Sequence, residues 1–285
     1  MKHIVGFSGG IDSQAACGVV LDLYGPDNVL ITNSPAGDNE HPATVEHVRW
    51  YSDNVHPVII CGALISDIWK TPGAAEARGY DSSANLDFGL MIKIKKRPPS
   101  RKAQFCTEIL KLKPQKRWIE DAFSPTGQYA GDDYCRYTGV RRDESAGRSD
   151  TPDVEWDTYF DCELRHIIAD WPKQRCFDYV RGRGEQINPL YSLGFNRVGC
   201  APCINSSKED VRNWVLRAPD MLDKVRVWEE DSGYTFFPPM VPGLPNNNTI
   251  DQVIEWAMTS HGGRQQLFPI MHERESCESK YGLCE

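Results

Sequence analysis

The chain contains no apolar run approaching the roughly 20 residues that a bilayer-crossing helix requires, which sets aside a membrane-spanning role. It also lacks the apolar stretch of a secretory leader, because Met1-Lys2-His3 passes directly into a strand-like segment. Both absences predict a cytoplasmic protein. In that compartment its ten cysteines are read as thiols or metal ligands rather than disulfides. Positive charge is in deficit as well, with a net charge of −8, and this disfavours indiscriminate binding to polyanions. One local exception crowds Lys93, Lys95, Lys96, Arg97, Arg101 and Lys102 around Pro98-Pro99. No aromatic residues interleave that basic run, so it does not read as a platform for single-stranded nucleic acid; a solvated face is the plain alternative. Internal repeats and low-complexity segments are missing too. With 285 residues, the chain holds one large domain, or a domain with an appendage.

What is present begins at the first residues. A strand-like run, His3-Ile4-Val5-Gly6-Phe7, leads into Ser8-Gly9-Gly10-Ile11-Asp12-Ser13. Next comes a segment whose Ala15, Ala16, Val19, Val20 and Leu23 recur with helical spacing. Glycines allow main-chain N–H groups to approach an anion. The helix start adds partial positive charge, and Ser8 and Ser13 add hydroxyls. The hexapeptide between a strand and a helix resembles the PP-loop of ATP pyrophosphatases, which implies a nucleotide-phosphate site.

Strand and helix patterns continue in alternation. Residues 28–33 read as a strand, 42–54 as a helix opened by Pro42, and 56–61 as a third strand. That order predicts a doubly wound, mostly parallel α/β sheet with its ligand at the C-terminal strand edge. Residues 66–104 read as an irregular cover, 107–122 as a helix and 134–140 as another strand. From about residue 200 the pattern turns helical, with a proline-rich passage and a cysteine-containing tail. The expected division is an α/β domain over 1–199 and a helical region with a cysteine site over 200–285.

Three clusters carry further chemistry. Cys106 stands at a helix start amid cations that include Lys111, a setting that lowers a thiol pKa; a small buried cysteine is the plainer alternative. Thr138-Gly139-Val140-Arg141-Arg142-Asp143-Glu144-Ser145 ends a strand. Its arginines can clamp an oxyanion, while Asp143 and Glu144 hold the guanidinium groups or bind Mg²⁺. Gly199-Cys200-Ala201-Pro202-Cys203 supplies a Cys-x-x-Cys pair, which is half of a four-thiolate site for Zn²⁺ or an iron–sulfur cluster. Cys277 and Cys284 are the expected other half, with Cys106 as the competing ligand; a redox dithiol is the remaining reading.

Taken in order, these pieces resemble the phosphoadenosine phosphosulfate (PAPS) reductase family of the adenine nucleotide α-hydrolase superfamily. The resemblance implies a HUP-type fold, an adenine nucleotide ligand and sulfur chemistry. It gives Cys106, Lys111, Arg141 and Arg142 catalytic roles. Ser8, Gly9, Gly10, Asp12 and Ser13 bind the nucleotide, with Asp143 and Glu144 beside them. Two departures separate its branches. The first loop is intact, which favours ATP cleavage to AMP and pyrophosphate with Mg²⁺. The tail Tyr281-Gly282-Leu283-Cys284-Glu285 departs from the Glu-Cys-Gly ending of sulfonucleotide reductases. The expectation is therefore an ATP-adenylating enzyme of sulfur transfer, with a sulfur donor and with nucleic acid as an eligible acceptor. The alternatives are a PAPS or adenosine phosphosulfate (APS) reductase served by thioredoxin, and a nucleotide-binding protein with structural zinc.

Overall fold

A computed structural model describes residues 1–237 and 248–259. Its centre is a sheet built from β1 (Lys2–Gly6), β2 (Val29–Asn33), β3 (Val58–Ile60), β4 (Tyr134–Tyr137), β5 (Val154–Asp157) and β6 (Cys162–Arg165). The strands lie in the order β3-β2-β1-β4-β6-β5. All neighbours are parallel except β5, which runs antiparallel to β6 at one edge. The fold is thus α/β, as the alternating pattern predicts.

Alternation along the strands assigns the two faces, since successive side chains point to opposite sides. Val5 and Ile31 bury themselves with Ala15, Ala16 and Val20 of α1 (Ile11–Tyr24), Val48 and Tyr51 of α2 (Pro42–Asn54), and a later helix. Ile4 and Leu30 face the opposite way, against Leu112 and Ile119. A parallel strand covered on both sides is apolar where both faces are packed, as at Ile4 and Val5 of β1 and Val29, Leu30 and Ile31 of β2. Further along the chain come α3 (Phe88–Lys95), the single turn α4 (Phe105–Thr107), a π-helical turn over Glu108–Leu112, and α5 (Lys113–Ala122). They are followed by α6 (Lys173–Gly182), which completes the α1 face through Val180, and by α7 (Lys208–Arg217), α8 (Asp220–Ser232) and α9 (Ile250–Met258).

A third apolar cluster joins Ala36, Ile65, Phe88, Leu110 and Leu190 to Val211, Trp214, Met221, Trp228 and Ile250. It draws on residues from both sides of position 200, so α7, α8 and α9 share a core with the loops beyond the strand ends. Two features differ from the sequence pattern. The segment 66–104 contains α3, whose start is capped by Asp87 accepting from Leu90 N. The β5–β6 hairpin carries too few residues to show a strand period. No helix among the described residues is long and apolar enough to cross a membrane.

Candidate active site

The sheet order creates the site. From β1 the chain moves outward through β2 and β3, then returns to β4 on β1's other side. Ligands of open α/β sheets bind outside the strand ends at such a reversal. Here the reversal brings together the loop after β1, Ser8–Ser13, and the loop after β4, Thr138–Ser145.

The first loop is tightly specified. Ser8 N donates to Ser13 Oγ at 3.1 Å, the two hydroxyl oxygens lie 3.0 Å apart, and Ser13 Oγ donates to Gly10 O at 2.9 Å. Gly9 has a φ of +84°, a left-handed conformation that costs glycine little. A Cβ there would also stand 2.9 Å from Thr44 Cγ2. The start of α1 has no side-chain cap from its own Gly10. Tyr191 serves instead, accepting from Ile11 N at 3.0 Å. Asn188 donates to Gly9 O at 3.1 Å and approaches Thr44 Oγ1 at 3.3 Å. The Asn188-Pro189-Leu190-Tyr191 motif therefore acts as a brace that fixes the loop's shape.

The loop after β4 meets α1 at close range. Arg141 Nε lies 2.8 Å from Asp12 Oδ1 in a buried ion pair, and its Nη1 contacts Asp143. Burial works against the Arg141 charge, but Asp12 and Asp143 more than offset it and raise its pKa. Asp12 thus holds Arg141 in place. Arg141, Asp12, Asp143 and Glu144 line a cavity of 210 Å³ with Lys173, Tyr191 and Arg197. Arg142 is placed elsewhere: its side chain contacts Asp153, Asp170 and the Thr151 carbonyl, and it is not among the residues lining this cavity. Glu144 pairs with the buried Arg148.

A second, narrow pocket is lined by Cys106, Cys200, Cys203, Lys111, Gln104 and Asn205. Protein crowds all three thiols. Burial, then the neighbouring Cys200 and Cys203, push the Cys106 thiol up to about 12, and Lys111 offsets only part of this. The thiolate expected from the cationic sequence context is therefore disfavoured in the chain alone, because desolvation outweighs the lysine. Burial raises Cys200 in the same way. Cys106 lines the same pocket as the Cys200/Cys203 pair; Cys277 and Cys284 lie outside the described residues. Among the described residues, no three His, Cys, Asp or Glu side chains are arranged to hold a metal ion.

Sequence reasoning passed over the loop after β2, although it supports the thiol pair. Ala201 N donates to Asn39 O at 3.0 Å, and Glu40 bridges to Cys200 in antiparallel fashion. With its amide nitrogen turned toward them, Asn39 also reaches the carbonyls of Ala201 at 2.9 Å and Pro202 at 3.2 Å. Burial raises the pKa of Glu40, which accepts from Ala36 N, and Lys111 partly counters the rise.

The loops after β1 and β4 thus meet at a reversal in a mostly parallel sheet, and a second pocket gathers three thiols. Residues 86–206 match the phosphoadenosine phosphosulfate reductase domain, so this part of the chain is similar to that domain. An uncharacterized 37.8 kDa protein of Escherichia phage 186 is 26% identical over an alignment spanning 99% of this chain and 96% of that one. Adenosine 5′-phosphosulfate reductase of Allochromatium vinosum is 34% identical over 126 residues, or 43% of this chain and 44% of the reductase. The chain thus spans under half of that reductase. PAPS reductase from Candida auris, solved as a phosphate complex, gives a TM-score of 0.47 at 13% identity, covering 71% of this chain and 83% of that one. At family level the chain is related to enzymes of sulfonucleotides.

Proposed function

We propose that the chain binds an adenine nucleotide with its phosphates between Ser8–Ser13 and Arg141, and uses it in sulfur transfer. The observation that carries this reading is the intact, braced loop next to a pocket of three thiols, with Lys111 among the pocket's lining residues. The family match over 86–206 includes the thiols and Arg141 but not the loop. The loop is therefore an independent argument, and it favours ATP.

In this reading a substrate oxygen attacks the α-phosphorus. The bond to the α–β bridging oxygen breaks, and pyrophosphate leaves with the electron pair. Arg141, held by Asp12, faces the charge that develops, a preorganised electrostatic role. A sulfur nucleophile from a donor then displaces AMP from the activated substrate. Nucleic acid is one eligible acceptor. Cys106, Cys200 and Cys203 are the candidate ligands of an iron–sulfur cluster or Zn²⁺. They do not complete a single-ion site alone, so a cofactor here requires a further ligand, for which Cys277 and Cys284 are the candidates.

A second reading, sulfonucleotide reduction with thioredoxin, is favoured by the names of the relatives. Pyrophosphate release from ATP, measured beside sulfite release from APS and PAPS with thioredoxin, separates the two. Pyrophosphate release that is lost in Arg141→Ala supports the first reading. Sulfite release without pyrophosphate release replaces it with the second.

A further inference from the structure

Arg197 is among the residues lining the cavity between the two loops, and part of its guanidinium donor set is unmet. Its Nε and Nη1 are sealed from solvent, and neither makes a hydrogen bond. Leaving buried charged donors unsatisfied is costly, so a ligand that accepts from them is favoured. The cavity holds 210 Å³, room for several waters at about 30 Å³ each.

The carboxylates lining the cavity are engaged elsewhere. Asp12 and Asp143 contact Arg141, Glu144 contacts Arg148, and Asp210 Oδ2 accepts from Ser207 N at 3.0 Å. Asp210 Oδ1 is itself buried without a hydrogen bond. The cavity therefore suits an oxyanion that brings a cation or a protonated oxygen with it. Lys173 adds positive charge at the rim. On its other side, Arg197 stands near enough to Cys200 for its charge to act on that thiol.

We propose that Arg197 is the receptor for the nucleotide's outer oxyanion, the tetrahedral group in anhydride linkage beyond the 5′-phosphate. This inference rests on the nucleotide reading above and names the part of the ligand that the site recognises. The sulfate of APS and the β,γ-phosphates of ATP share that chemistry, whereas AMP lacks it. Arg197 holds the group at the junction of loop and thiols.

Calorimetric titration of the full chain with AMP, APS, Mg-ATP and Mg-pyrophosphate tests the assignment. Arg197→Gln is expected to weaken whichever of APS and Mg-ATP is the ligand on the order of 10- to 100-fold, the range of a lost charge-assisted hydrogen bond. AMP binding should change less than about twofold by the same reasoning, and Arg197→Lys should restore part of the loss. The APS and ATP arms identify the source of the oxyanion. In the wild type, Mg-pyrophosphate should compete with APS or Mg-ATP and leave AMP binding intact, a measurement that does not depend on the variant's folding. Equal affinity of Arg197→Gln for every ligand, or a parallel loss of AMP, overturns the assignment. If the wild type binds pyrophosphate through Arg197 but no nucleotide, the nucleotide reading falls while the arginine's role stands. If it binds none of the four ligands, both fall.

Discussion

Replacing Gly139 with alanine tests the joint between the sheet and the Ser8–Ser13 loop. A Cβ at this position would stand 2.7 Å from Asp12 C, and 2.8 Å from both Asp12 O and Ser13 N. All three are backbone atoms in the first turn of α1, so no side chain can swing aside to make room. Ordinary contact begins near 3.4 Å, and about 0.7 Å of movement is therefore needed in the loop, in β4's extension, or in both. Overpacking of this kind costs roughly 1–3 kcal/mol. A displacement approaching 1 Å at a positioned group lowers rate on the order of 10²-fold. Urea unfolding should show Gly139→Ala less stable by that margin, and nucleotide binding should fall further than stability alone explains. Gly182→Ala is the matched control, because nothing lies within 4 Å of the Cβ it would add. Stability and binding unchanged in Gly139→Ala would refute the close-approach argument and the loop geometry behind it.

Asn188→Ala should remove the amide that donates to Gly9 O and Thr44 Oγ1. The expected cost is about 1–3 kcal/mol for the orphaned buried acceptor, read by urea unfolding, together with weaker ATP binding; an unaltered unfolding midpoint would show that the brace is dispensable. His47 gives a pH prediction. Burial holds its pKa down at about 4 against 6.5, so the unfolded state takes up a proton that the folded state refuses. Its contribution is present above pH 6.5 and is lost as pH falls toward 4, on the order of 3 kcal/mol. His47→Gln should flatten that part of the stability profile, and a slope identical to wild type would exclude His47 as its source. Cys200→Ala should lower the iron or zinc retained through anaerobic purification, measured by elemental analysis; full retention would remove the Cys-x-x-Cys pair from the cofactor site.

The strand–loop–helix opening was legible because an apolar run, paired glycines and helix-spaced apolar residues agree there, although of those residues Ala15, Ala16 and Val20 are buried while Leu23 is exposed. Pro42 marked α2 for the same reason, its fixed φ suiting a first helical turn. Arg141 could be nominated from its place after a strand, but its partner could not, because the pairing with Asp12 depends on β4 lying beside β1. The same limit applies to Tyr191, whose hydroxyl caps a helix 180 positions away. It applies again to Asn39, which meets Ala201 across the fold. Arg141 and Arg142 look equivalent in sequence, yet one turns toward α1 while the other is taken up by Asp153 and Asp170. For Cys106, the cations nearby are visible in the sequence, whereas the burial that raises its thiol pKa is not. The hairpin β5–β6 escaped notice since four-residue strands carry too little period to read.

The 180-residue span between Ile11 and Tyr191 also has a bearing on how the molecule matures. The sheet's inner strands and α1 are complete in the nascent polypeptide long before the brace is synthesised. Contacts of such large sequence separation close late, because chain entropy must be lost before they form. A ribosome-bound intermediate would therefore own its inner strands with the Ser8–Ser13 loop still unbraced, and the loop would take its final shape only after Asn188 and Tyr191 had emerged and docked.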